Sequence, residues 1–195
     1  ITSAMTFCAT INSIIHAGAT PVLADVNPIT MNIDPVQIER KISSRTKAIV
    51  PVHFAGRSCE MKQIMDIAQR HNLKVIEDCA HAIETEYHGQ KAGTFGDFGC
   101  FSFYVTKNIV TGEGGMVVAK RENDAARIKT LTLHGMSEDS WARFSDEGYK
   151  HYYVIEAGFK CNMMDIQAAL GVHQLKRVEK YWNRRREIWQ QYNEA

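Results

Sequence analysis

The chain has 195 residues, 45% hydrophobic and 23% charged, with a formal net charge of +1. That length supports a full hydrophobic core, and the near-neutral balance argues against nucleic acid or an anionic membrane surface as partner. No apolar run reaches the length of a membrane span, and no signal-peptide pattern is visible.

The cysteines, Cys8, Cys59, Cys79, Cys100 and Cys161, are odd in number, scattered and without CxxC spacing. Neither a zinc site nor a disulfide framework is expected, and a reducing cytoplasm is the simplest setting. The chain opens Ile-Thr-Ser-Ala-Met-Thr-Phe, with no element start of its own, and stops inside a charged helical pattern. Both ends read as cut, so the sequence is expected to be part of a longer protein.

In chain order, 8–18 reads as a short helix closed by Gly18, a residue suited to a helix C-terminus. TPVLADV (20–26) is short and β-branched, hence a buried strand. Asp34-Pro35 forms an N-cap and first-turn pair that starts a helix over 35–43. KAIVPVHF (47–54) predicts a strand, 61–72 an amphipathic helix and KVIEDCA (74–80) another strand. Helical connections of this length suit parallel crossovers. The fold class is α/β: a mostly parallel open sheet covered by helices. Two further strands follow, at 98–105 and 114–120, then a helix over 122–134. The segment 136–158, with Trp141, Tyr149, Tyr152 and Tyr153, predicts a long surface loop. The last element, 163–192, predicts one long helix with Leu175, Val178, Trp182, Trp189 and Tyr192 on a single stripe.

Ligands of open α/β sheets bind beyond the carboxyl ends of the strands. Asp78 ends KVIED, and Lys107 follows the run 98–105 with no charged neighbour within five residues on either side. Glu77 and Asp78 are adjacent on a strand and face opposite ways, which argues against a paired acid and base. A lysine amine and a distant carboxylate suit pyridoxal phosphate (PLP). The amine forms a Schiff base with the aldehyde, and the carboxylate keeps the ring nitrogen protonated so that the ring accepts electrons. The residues alone leave a plainer alternative open: Asp78 as a helix cap and Lys107 as an exposed loop residue. His53 reads as structural. Gly112, Gly114 and Gly115 read as turn-shaping. Met163-Met164 reads as packing at a helix start, and Arg184-Arg185-Arg186, interleaved with Glu179, Glu187 and Glu194, as a solvated helix face.

VIEDCAHA (75–82) and CFSFYVTKNIVTGEGG (100–115) resemble two motifs of the DegT/StrS-type nucleotide-sugar aminotransferases. TFCATINSIIHAGATPVLADV (6–26) and GFKCNMMDIQAALGVHQL (158–175) resemble two more, in the family's order. The resemblance implies the large domain of a fold-type I PLP enzyme working as a homodimer. The chain would form the central part of that domain, running into a helix that leads to a C-terminal small domain outside it. A phosphate-binding Ser-Gly-Thr segment of the family would lie upstream.

By the same resemblance, Lys107 would be the Schiff-base lysine and the base that moves the substrate proton. Asp78 would pair with the pyridinium nitrogen, and His81 would bond near the phenolic oxygen. Ser102 would donate to the phosphate, and Phe7 would stack on the ring. Relatives commonly read G-Y-N-Y-R where this chain has Gly158-Phe159-Lys160-Cys161-Asn162. Lys160 or Asn162 would then serve the neighbouring subunit near the phosphate. This form is closer to members making 4-amino-4-deoxy-arabinose nucleotides.

The activity that the resemblance implies is transfer of an amino group from an amino acid, glutamate by the same resemblance, to a keto sugar nucleotide. Two alternatives are a PLP-dependent sugar dehydratase, in which histidine replaces the lysine, and a non-catalytic member that binds a sugar nucleotide for regulation.

Overall fold

Short β-branched runs alternating with helices of about ten residues build a parallel sheet flanked by helices. The computed structural model describes residues 1–137 and 151–195. In chain order the elements are β1 (Thr2–Ser3), α1 (Cys8–His16), β2 (Leu23–Ala24), α2 (Pro35–Lys41), β3 (Ala48–Ile49), α3 (Met61–Arg70) and β4 (Lys74–Asp78). The small strands β5 (Glu86–Tyr87) and β6 (Gln90–Lys91) follow, then β7 (Phe98–Ser102), β8 (Gly115–Ala119), α4 (Glu122–Thr132), α5 (Asp165–Leu175) and α6 (Val178–Glu194).

Strands β3, β4 and β7 are parallel neighbours, and β8 runs antiparallel along β7. Strand β1 pairs in parallel with β2, and a parallel bridge from Thr2 to Val50 attaches that pair to the edge of β3. The lateral order is therefore β2-β1-β3-β4-β7-β8, mostly parallel as the residue pattern predicts. The register sets Asp78 opposite Cys100, so β4 and β7 end on the same edge of the sheet.

Local chemistry explains the helix boundaries. The Asp34 carboxylate accepts from the Val36 N–H at 2.9 Å, with Pro35 in the first turn. Helix α1 closes with Gly18 in the left-handed region (φ 74°). The Gly18 N–H reaches the Ile15 carbonyl at 2.9 Å and the Ala19 N–H reaches Ile14 at 3.1 Å, a paired closure that suits glycine. Helix α3 buries Met61, Ile64, Ile67 and Ala68, spaced three and four residues apart along one stripe. These pack with Ile33, Ile38, Ile49 and Val75 in the main core.

The structure corrects four expectations. The first residues do carry a strand start: Thr2 and Ser3 are buried in the sheet. They were too few for any periodicity to show. The single helix expected over 163–192 is two, α5 and α6, separated at Lys176 and Arg177. The hairpin of β5 and β6 was not anticipated. The expected loop 136–158 is strand-like at its ends: Met136 bridges Val154, and the Ser137 N–H donates to the Tyr153 carbonyl at 2.8 Å. Trp141 and Tyr149 of that segment lie outside the described residues. Among the described residues, no helix is long and apolar enough to cross a membrane.

Candidate active site

The carboxyl edge of β4 and β7 opens onto a cleft of about 180 Å³. Its lining includes Ala80 and His81 from the turn after β4, Ser102 from the end of β7, and Thr106, Lys107 and Asn108 from the turn beyond. Three of the expected site residues, His81, Ser102 and Lys107, thus share one cavity. Asp78 is not itself in the lining, but Cys79 and Ala80 beside it are.

Lys107 is half-buried, and its own N–H closes a turn on the Tyr104 carbonyl at 2.9 Å. Among the described residues its ammonium has no carboxylate partner within ion-pair distance. Its charge is nevertheless felt: His81 is held below the ordinary imidazole pKa. Partial burial is the first cause and the Lys107 charge the second, while Asp78 pulls the other way. His81 therefore lies within electrostatic reach of both the amine and the acid.

Asp78 accepts at both oxygens. Its Oδ1 takes the Ala80 N–H at 3.1 Å, and its Oδ2 takes the Thr10 hydroxyl of α1 at 2.7 Å. The first bond is a local turn, and no helix follows directly for Asp78 to cap. Phe7 is the N-cap residue of the same helix, 76% exposed, and it does not line the cleft. The Ser102 Oγ accepts the Tyr104 N–H at 3.3 Å, a bond that leaves its own proton available.

Lys160 and Asn162 lie elsewhere. Lys160 bridges Leu133 at the end of α4, and its amine donates to the Asn162 side-chain oxygen. Neither lines the cleft.

Glu77 faces away from Asp78, as strand alternation requires, and is fully buried. It accepts from His53 Nε2 at 3.1 Å and from the N–H groups of Gly93, Phe95 and Gly96 at 2.8 Å each. Burial alone would raise its pKa. The bonds from His53, Gly96 and Gly93 outweigh burial and hold it below the usual carboxylate value. His53 Nδ1 accepts the Cys59 N–H at 3.1 Å, so Nε2 carries the proton donated to Glu77. His53, Glu77 and Cys79 bring ligand atoms within 4.8 Å of one another. Hydrogen bonds already engage both imidazole nitrogens and both carboxylate oxygens, and burial pushes the Cys79 thiol pKa up. This geometry ties strands together rather than leaving lone pairs for a cation.

The lysine turn is pinned from two sides. The Asn108 side chain donates to buried Glu84 at 2.9 Å, and Arg185 of α6 also pairs with Glu84. Arg185 therefore departs from the solvated face expected of Arg184–Arg186, although Arg184 keeps its exposed pair with Glu187. The Gln174 side chain of α5 engages both backbone groups of Val110. Gly112 sits at φ 82°, a conformation that side-chain-bearing residues rarely adopt. Sequence reading missed Thr10, Glu84, Asn108 and Gln174. Thr10 carried one usable signal, its place three residues after Phe7 on the same helical face.

A sequence model of the DegT/DnrJ/EryC1/StrS aminotransferase family matches residues 1–195. The chain belongs to that family. It is 52% identical over 195 residues to the spore coat polysaccharide biosynthesis protein SpsC of Bacillus subtilis, covering all of this chain and 50% of that protein. It is 42% identical over 181 residues to the GDP-perosamine synthase of Caulobacter vibrioides, covering 93% of this chain and 46% of that protein. Among solved structures, Spr1654 of Streptococcus pneumoniae in its PMP form superposes with a TM-score of 0.90 at 32% identity, over 99% of this chain and 53% of that one. Its PLP form superposes at 0.87. The chain thus spans about half the length of the curated relatives it matches. The α/β architecture expected from the sequence agrees with this fold.

Proposed function

We propose that the protein carrying this chain is a PLP-dependent aminotransferase acting on a keto sugar nucleotide, with Lys107 as the residue that holds the cofactor. The observation that carries the reading is Lys107, half-buried in the lining of the cleft, without an acidic partner among the described residues and within electrostatic reach of His81, which also senses Asp78. A solvating lysine would be paired or fully exposed. Family membership and the PLP and PMP forms of a structural relative support the same cofactor.

The donor set fits that group chemically. Asp78 would hold the ring nitrogen, His81 would stand beside the ring's phenolic oxygen, and Ser102 has a hydroxyl proton to offer a phosphate oxygen. Phe7, at the N-terminus of α1, would cover one ring face. When bound, the cofactor supplies an electron sink for the carbon that loses its proton. Lys107 then acts as the base that takes this proton and returns it elsewhere, in both half-reactions. Its position next to a neutral-leaning imidazole, rather than a carboxylate, keeps its amine from being locked in an ion pair.

In this reading the amino donor is an amino acid such as glutamate, and the protein is a homodimer. Lys160 and Asn162, away from the chain's own cleft, would serve the partner's phosphate. Exposed Trp189 and Tyr192 on α6 are further candidates for burial in an assembly. The free thiols are in keeping with a cytoplasmic setting. Lysine, rather than histidine, at 107 argues against the dehydratase alternative. The joint presence of Asp78, His81, Ser102 and Lys107 argues against a non-catalytic member.

The test is a panel of keto sugar nucleotides mixed with the whole protein loaded in its PMP form. Loss of PMP absorbance with one nucleotide, and recovery on adding glutamate, is expected. Stoichiometric cofactor with no turnover on any donor or acceptor contradicts the reading.

A further inference from the structure

Asp78 has two oxygens and about four lone-pair positions. Two are taken by protein donors that differ in kind. The Ala80 N–H at 3.1 Å is local, whereas the Thr10 hydroxyl at 2.7 Å comes from a helix 68 residues away in sequence. Two donors on different oxygens fix the plane of the carboxylate, and each oxygen keeps a lone pair. Thr10 is buried, with 6% of its surface exposed. Its oxygen lies 2.7 Å from that of Thr6. A hydroxyl has a single proton, and the Thr10 proton is committed to Asp78. Thr6 must therefore donate to Thr10, and the chain runs in one direction, from Thr6 through Thr10 to Asp78.

From this geometry we infer that Thr10 is a positioning residue for the cofactor-binding acid. Its hydroxyl aims the Asp78 carboxylate and registers the N-terminus of α1, with Phe7 at its cap, against the end of β4. The inference rests on the PLP reading above. A threonine in a helix gives up helix propensity relative to alanine, and here the hydroxyl is spent on the one acid that the site needs oriented. The same bond couples two walls of the site, since the residue proposed to stack on the ring sits one turn from the residue that orients the acid.

The test uses the whole protein with Thr10→Val, Thr10→Ser and Thr6→Val, read by cofactor affinity and by the pH midpoint of the lysine-bound cofactor's absorbance. A misaimed carboxylate would stabilise the protonated ring nitrogen less well. A less cationic ring withdraws fewer electrons, so the midpoint moves to higher pH. Thr10→Val is expected to weaken PLP binding about tenfold and raise the midpoint by about one unit. Thr10→Ser, which keeps the hydroxyl, is expected to restore both. Thr6→Val, which removes only the outer donor, is expected to move both in the same direction by less, and it serves if Thr10→Val does not fold. A Thr10 that merely packs would lower thermal stability without moving the midpoint, and that result overturns the inference alone. A parent protein with no lysine-bound cofactor band overturns the inference and the functional reading together.

Discussion

The side-chain amide of Asn108 donates to Glu84 at 2.9 Å, immediately beside the lysine of the cleft. Glu84 is buried and its other oxygen pairs with Arg185. The last helix therefore reaches the lysine turn through one carboxylate. Arg185→Ala leaves a buried acid with one fewer partner. The expected cost is about 1–2 kcal/mol, less than for a fully buried pair because Arg185 is partly exposed. Urea denaturation measures it, and unchanged stability would show that the pair is incidental.

The Glu77 network predicts a defined acid response. Its folded pKa is lowered, so the folded state binds this proton less readily than the unfolded chain. The stability it contributes is fully present above the ordinary carboxylate pKa of about 4.3 and is lost as pH falls through the lower folded value. Glu77→Gln places an amide against buried N–H donors and is expected to cost about 3 kcal/mol or more. Its stability-versus-pH curve should be flatter than the parent's below about pH 4.3. Parallel curves would mean that another group carries the acid response.

His81 offers a direct readout of the cleft's field. Partial burial and the Lys107 charge lower its pKa. With fewer protons bound when folded, His81 adds stability that grows as pH rises from the lowered value to about 6.5. Removing the charge with Lys107→Met should move the imidazole midpoint upward, seen by NMR titration of the ring protons in cofactor-free protein. A midpoint that stays put or falls would place the amine outside the reach of His81.

Buried thiols give a chemical check on the sheet. Burial, reinforced by the Glu77 charge, pushes Cys59 up to about 12, and burial with the Asp78 charge pushes Cys100 up to about 11. Cys8 and Cys161 are exposed. Alkylation of the native protein at pH 8 should label Cys8 and Cys161 first, because only thiolates react. Early labelling of Cys59 would indicate that the segment leading into α3 opens.

The sequence made the repeating parts of the fold legible. Asp34-Pro35 announced α2, the spacing of Met61, Ile64, Ile67 and Ala68 announced α3, and Gly18 announced the end of α1, because each rests on neighbours within one turn. Strand β1 escaped because Thr2 and Ser3 are held by partners at Leu23, Ala24 and Val50, a relationship no local pattern carries. The break at Lys176 and Arg177 escaped for a similar reason: the apolar stripe runs through it without a proline or glycine to mark it. At the site, Lys107 stood out by its lack of charged neighbours. Thr10 and Glu84 did not, because a threonine or glutamate in sequence gives no sign of the buried partner it will find 68 or 24 residues away.

The central claim is that the Lys107 amine forms the covalent attachment to the cofactor. It is tested most directly by adding PLP to the whole protein and to its Lys107→Ala variant, and recording the visible absorbance before and after borohydride reduction and peptide mapping. The parent should develop the band of a lysine-bound cofactor, with the reduced label on the peptide containing residue 107, and the variant should not. A band of equal intensity in the variant, or a label on another lysine, would contradict the claim.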